Sequence, residues 1–470
     1  MTPRGRMAAL GLSLLCARAA LAGSELVLPP VERVTFDNGL RVVVAEYHEL
    51  PVVEMYMVIG AGAAQDPAGK DGVAALTAVA LRRGAGSRSA EQLAETIEAL
   101  GGELDAAAGI DGSIVRGEFL AEDFATGVGL LRDLLLAPAF EKDEVRRARD
   151  EQLAGIVAAM EEPSAVAERC FNAALYGAHP YGRPPEGRPA TVKDLDRGDV
   201  RDFYDRWYRP NNSVLVVVGD VQPASAVAQL RVALGGWATR ADAQPHRVPP
   251  TAASGAPRFV LVDMQSATQT QIRFGGLSMA RRDPDFTAAQ VPNTMLGGGF
   301  TSKLIEELRV KRSLTYSASS MYAARLLGGD FRVATFTKSA TTVETIRLAQ
   351  QVVGAFRATM PDAKAFAKAK AYLRGQFPLK LETPEALGAR LADIEVHGLP
   401  LDELGTYRQR IDAVTPADAA RISQAKMPPI EAMTTVVVGK AAEIRAPLEA
   451  AFGAVTVIAP NECATLSGAR

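Results

Sequence analysis

The stretch RPNNSVLVVVGDV, residues 209–221, is a turn followed by an unbroken apolar run, and part of it returns: VVVG at 216–219 recurs as VVVG at 436–439. A short apolar run without polar alternation reads as a strand buried on both faces. The recurrence has company. Glu162-Pro163, Arg169 and Gly177 in the first half stand against Thr383-Pro384, Arg390 and Gly398 in the second, at a constant offset of about 220 residues. Proline at the first turn and glycine just past the last are the punctuation of a helix. One strand and one helix thus repeat at nearly one spacing, which predicts a duplicated α+β domain.

Working outward, VERVTFDNGLRVVVAEY (31–47) and VVEMYMVIGAG (52–62) read as two strands joined by a turn. Helical patterns follow in GVAALTAVALRRG (72–84) and SAEQLAETIEALGG (89–102), the latter with Ser89 as its cap. ELDAAAG (103–109) and SIVRGEFL (113–120) read as strands, and a long helical stretch is expected over 123–158. The second half starts again with paired strands, APRFVLVDMQ (256–265) and TQTQIRFGG (268–276). Between the halves lies QPHRVPPTAASGAP, 244–257, with four prolines and no hydrophobic period, which reads as a linker. The expected division is a first domain over 23–243, a second over 258–460, and a tail over 461–470.

At 470 residues the chain exceeds one hydrophobic core, and 48% hydrophobic with 23% charged residues is an ordinary globular composition. A net charge of −2 gives no footing for nucleic acid or an anionic membrane. The N-terminus stands apart. Arg4 and Arg6, an apolar run from Met7 to Cys16, and Ala20-Leu21-Ala22 form the pattern of a secretory signal over residues 1–22. The run is much shorter than the ~20 residues a membrane span needs. Export to a bacterial periplasm is the expectation. Cys170 and Cys463 then remain; an oxidising compartment permits a disulfide, but their separation favours a buried thiol and a tail thiol.

Chemistry-bearing residues gather in EELRVKRSLTYSASSMY, 306–322, where a charged helix gives way to a Ser/Thr/Tyr-rich strand. Arg309 and Tyr316 lie seven residues apart across that junction, just after Gly297-Gly298-Gly299-Phe300. A guanidinium and a phenol both donate hydrogen bonds to developing negative charge. The glycines allow either a tight turn entering a helix or close approach of an extended peptide. The four histidines, His48, His179, His246 and His397, show no i,i+4 pairing with a second ligand type. No Gly-x-Ser-x-Gly elbow is present.

ALYGAHPYGRPPEG (174–187), DFYDRWYRPNNSVLVVVGDV (202–221) and LGGGFTSKLIEELRVKRSLTYS (296–317), in this order of elements, resemble the pitrilysin/insulinase family of zinc peptidases, which includes the mitochondrial processing peptidase. The resemblance covers nearly all of the chain after residue 22. It implies two duplicated domains of the LuxS/processing-peptidase metallohydrolase-like type. Active members carry H-x-x-E-H on the first-domain helix, with two imidazoles on one face, a glutamate as base and a later glutamate as third ligand. Here those motif positions fall on Ala75, Ala78 and Val79, and the later glutamate falls near Ala154-Gly155, with Glu151 close by. The zinc chemistry is absent from this chain.

The other half of the family's site is retained. Arg309 and Tyr316 match the second-domain pair that, in the family, binds substrate backbone and stabilises the oxyanion. Gly297, Gly298, Gly299 and Phe300 loosely resemble the glycine-rich substrate loop of the non-catalytic processing-peptidase subunit. Some bacterial relatives divide this labour between two subunits. The resemblance therefore implies a non-zinc subunit, with peptide as substrate and zinc held by a homologous H-x-x-E-H partner. The alternative is an inert scaffold or peptide-binding protein of the same fold.

Overall fold

The computed structural model describes residues 28–241, 250–251 and 258–467. The expected signal segment and most of the expected linker, with His246, lie outside the described residues.

Two six-stranded mixed sheets organise the chain. The first is built from β1 (Val31–Thr35), β2 (Arg41–Glu46), β3 (Val52–Ile59), β4 (Glu103–Ala108), β5 (Ser113–Leu120) and β6 (Ser213–Gly219), in the order β1-β2-β6-β3-β5-β4. The second uses β7 (Phe259–Asp263), β8 (Thr270–Ser278), β9 (Ala318–Arg325), β10 (Gly328–Thr337), β11 (Thr434–Gly439) and β12 (Thr456–Ile458), in the order β12-β7-β11-β8-β10-β9. Five strands of each sheet correspond, β2-β6-β3-β5-β4 with β7-β11-β8-β10-β9. Their senses agree too. β2 and β6 are parallel, as are β7 and β11, and every other matched pair is antiparallel. Only the outermost strand differs: β1 runs antiparallel to β2, whereas β12 runs parallel to β7. This is an α+β fold made of two homologous domains.

The apolar run that marked the repeat is β6, and its second copy is β11; both are buried along their whole length. The reason is an exchange of helices. Val437 of β11 belongs to the core of its own half, while Val436 and Val438 pack on the helix Pro163–Tyr176 from the first half, against Val166, Ala167, Cys170 and Phe171. Reciprocally, the helix Pro384–His397 of the second half lies on β3 and β6. Its Gly388 faces the ring of Tyr56, whose hydroxyl donates to the Glu385 carbonyl at 3.1 Å. The sequence-matched helices are thus the two that cross over. The described residues from Val31 onward accordingly form one compact unit.

Three local readings are corrected. The stretch 31–47 is two strands, because Asp37-Asn38-Gly39 turns the chain, with Gly39 at φ +81°. The helical stretch 123–158 is two helices, Phe124–Leu136 and Lys142–Met160, interrupted at Pro138 and at Phe140 with φ +44°. Cys170 and Cys463 are not separate thiols. They form a disulfide, with Cα atoms 4.7 Å apart, because the C-terminal segment Pro460–Ser467 returns to lie along the helix Pro163–Tyr176. No helix among the described residues is long and apolar enough to cross a membrane.

Candidate functional site

The segment bearing the candidate residues connects β8 to β9. The helix Phe286–Asn293 runs on as a π-helical turn, Thr294–Gly298, and a second π-helical segment, Ile305–Val310, carries Arg309. Such wide turns recur at functional sites. Gly297 is required by packing: a Cβ there would stand 2.3 Å from the Ser320 amide nitrogen on β9. Gly298 is exposed and Gly299 is half-buried, and Phe300 projects outward with 76% of its surface exposed.

Arg309 is half-buried, with its guanidinium 5.5 Å above the Phe300 ring. Glu306 and Glu307 lie within a turn of it, yet neither pairs with it. They are taken by Lys303, at 3.1 and 3.2 Å, and by Lys311, at 2.9 and 2.8 Å. These ammonium groups, Lys311 foremost, hold both carboxyls below their ordinary range. Among the described residues Arg309 has no ion pair. The two carboxylates beside it are already met by the lysines, which leaves the guanidinium free for another acceptor.

Tyr316 is held by its neighbours. Ser313, at φ +53°, turns the chain, and the Leu314 amide donates to the Leu308 carbonyl at 2.9 Å. Thr337 Oγ1 donates to the Leu314 carbonyl at 2.7 Å, and the Ser317 amide donates to Thr315 Oγ1 at 3.1 Å. Leu314 and Thr315 are both buried ahead of β9, and Tyr316 follows them outward, 76% exposed. Its hydroxyl has no hydrogen-bond partner among the described residues. A phenol on a backbone anchored at both sides is presented, not merely loose.

The first-domain positions matched to the zinc motif carry no donor side chain. Helix Val73–Leu81 places Ala75 and Val79 one turn apart on a half-buried face, with Ala78 fully buried beside them. None of the three offers a lone pair. On the adjacent helix Lys142–Met160, Glu151 is bound to Arg83, while Ala154 and Gly155 supply no donor side chain. No group of three His, Cys, Asp or Glu stands in metal-holding geometry among the described residues. His48 pairs with Asp220 at 2.6 Å, His179 caps the Tyr181 amide at 3.1 Å, and His397 pairs with Asp393 at 3.0 Å, so these three have structural partners.

Residues 41–187 match the family described as insulinase (peptidase family M16), and residues 194–373 match the M16 peptidase inactive domain. The chain belongs to the insulinase (M16) peptidase family. An uncharacterized zinc protease of Mycobacterium tuberculosis is 29% identical over 394 residues, 81% of this chain and 86% of that protein. A non-peptidase homolog of Helicobacter pylori is 22% identical over 386 residues, 80% of this chain and 86% of that protein. A crystal structure of a peptidase M16 inactive domain from Pseudomonas fluorescens superposes with a TM-score of 0.82 at 24% identity, covering 87% of this chain and 98% of that one.

Within this M16 frame, two features of the site were not read from sequence. One is the Lys303/Lys311 clamp on Glu306 and Glu307, whose signal was the i,i+3 and i,i+4 charge spacing. The other is the anchoring of Leu314 and Thr315. It had no periodic signal, because Leu314 and Thr315 are buried in succession just before the strand.

Proposed function

We propose that this chain is the non-zinc subunit of an exported, two-chain zinc endopeptidase, binding peptide and completing a site whose metal is held by an H-x-x-E-H partner. The observation that carries the reading is the pair of donors, Arg309 and Tyr316, left without a hydrogen-bond acceptor or ion pair among the described residues on an anchored segment. The three motif positions of the helix Val73–Leu81 carry no donor side chain.

The partner's zinc would supply an activated water for attack on the peptide carbonyl. Attack moves charge onto the carbonyl oxygen, and the Tyr316 hydroxyl is suited to donate a hydrogen bond to it. Such a donor contributes most where water is excluded, and one is worth ~10²–10³ in rate. Arg309 is suited to hold a neighbouring backbone carbonyl, which acts in the ground state as well. Phe300, stacked under the guanidinium, restricts Arg309 and offers an apolar surface to a peptide side chain. The Cys170–Cys463 disulfide supports export, since such bonds persist in oxidising compartments.

A second reading, an inert scaffold, has one observation behind it. Phe300 and Val310 are 76% and 71% exposed, a surface that also suits docking without chemistry. Co-purification with an H-x-x-E-H homologue separates the two. The expected result is chelator-sensitive hydrolysis of unfolded peptides by the pair and by neither chain alone, with Arg309→Ala raising KM. A partner fully active without this chain contradicts the proposal.

A further inference from the structure

A cavity away from Arg309 and Tyr316 is lined in part by the exchanged helix Pro384–His397. Its volume is about 340 Å³, at the lower end of the ~300–1,000 Å³ typical of small-molecule sites. The stacked rings of Phe377 and Tyr407, 4.1 Å between centroids, form one wall, and Phe286 contributes to another. Lys380 and Arg390 also line it, and neither has an anionic partner among the described residues. The two carboxylates of the lining are already committed: Asp393 to Arg281 at 2.9 Å and His397 at 3.0 Å, and Glu403 to Arg410 at 2.7 Å.

The duplication says what is missing. Arg390 is the second-half counterpart of Arg169, which donates to the Glu186 carboxylate through Nε and Nη2 at 3.1 and 2.5 Å. Glu186 lies 17 residues after Arg169. The residue at the same spacing after Arg390 is Tyr407, which lines the cavity with it. At the matching sequence position, now inside the helix Glu403–Ala413 and no longer in a turn, a phenol replaces the carboxylate, and Arg390 has no acceptor there. Burial, followed by the neighbouring Arg390 guanidinium, lowers the Lys380 ammonium, and both side chains stay open to solvent at the cavity mouth, within reach of an entering anion.

We propose that this cavity binds a small carboxylate with an apolar or aromatic body. The carboxylate would take the place of the missing Glu186 equivalent between Arg390 and Lys380, and its body would lie on the Phe377–Tyr407 stack. A guanidinium favours this ligand because its paired N–H groups match two carboxylate oxygens. The site is independent of the role assigned to Arg309 and Tyr316. A free acid or the C-terminus of a short peptide would satisfy the same chemistry.

Thermal unfolding of the full chain tests this, with N-acetylphenylalanine, its neutral amide, a pentapeptide ending in phenylalanine, and inorganic phosphate as probes. N-acetylphenylalanine is expected to raise Tm saturably and the amide to leave it unchanged. A response to the free-acid pentapeptide would extend the site to peptide C-termini; a response to the small acid alone would assign it to small molecules. Arg390→Gln should weaken binding by at least ~10-fold, the loss expected for a charged hydrogen-bonded pair. Tyr407→Glu, which puts an internal carboxylate beside Arg390, should abolish the response while leaving the chain folded. Equal shifts from acid and amide, equally tight phosphate binding, or an unchanged response in Tyr407→Glu would overturn the proposal.

Discussion

Gly388 and Gly155 both lie inside helices, yet alanine at the two positions should move stability in opposite directions. At Gly155, in the helix Lys142–Met160, a new Cβ meets nothing within 4 Å. Alanine there gains only helix propensity, about 0.5–1 kcal/mol. At Gly388 the same Cβ would stand 2.6 and 2.9 Å from two ring carbons of Tyr56. That ring is buried on β3, and its hydroxyl is bonded to the very helix that would have to retreat. Overpacking of this kind costs about 1–3 kcal/mol. It offsets the propensity gain and leaves a net loss of about 1 kcal/mol. Urea unfolding midpoints of the two variants and the parent measure the difference. Combining Gly388→Ala with Tyr56→Ala should cancel the steric part, since the penalty belongs to the pair. If Gly388→Ala stabilises as much as Gly155→Ala, the helix does not seat on the first sheet and the exchange is wrong.

Three further outcomes follow from the same structure. Cys463→Ser should lower stability by about 2–5 kcal/mol and make the C-terminal segment susceptible to protease, because the lost crosslink closes a loop between residues 293 apart; unchanged proteolysis would speak against it. Burial pushes the Glu54 carboxyl up to about 7, against the lowering effect of its Arg116 hydrogen bonds. Its folded value exceeds the unfolded one, so its stabilising share is full at low pH and is lost as pH rises through 7; Glu54→Gln should flatten the fall in stability between about pH 5 and 7. The purified chain should hold no stoichiometric zinc after dialysis, and metal analysis finding one equivalent would refute the assignment of Ala75, Ala78 and Val79.

The duplication was legible because its clearest markers are set locally. A strand covered on both faces must be apolar throughout, and a helix bounded by proline and glycine declares its own ends. What covered those strands was not legible. Val436 and Val438 would read the same under any apolar lid, and only the tertiary structure supplies Val166 and Phe171 from the other half. The Cys170–Cys463 pairing depends on the same long-range return. Asp37-Asn38-Gly39 was a local signal, passed over because the flanking residues suit one long strand equally well. At the site, residue types were legible but their freedom was not. Glu306 and Glu307 are near enough in sequence to neutralise Arg309, and only the placement of Lys303 and Lys311 removes them. The first glycine of the run serves packing against Ser320, a contact that sequence cannot distinguish from room left for a peptide.

The central claim is that Tyr316 acts on a substrate bound in a partner's site. Tyr316→Phe removes one donor and keeps the ring, and because the native hydroxyl has no partner among the described residues, the fold should lose nothing. Steady-state kinetics of the reconstituted pair, with variant and parent chains at equal occupancy, is the direct measurement. The account expects intact assembly, KM little changed, and turnover reduced by roughly 10²-fold, the size of one lost oxyanion donor. Turnover equal to that of the parent pair would contradict it and return the chain to the scaffold reading.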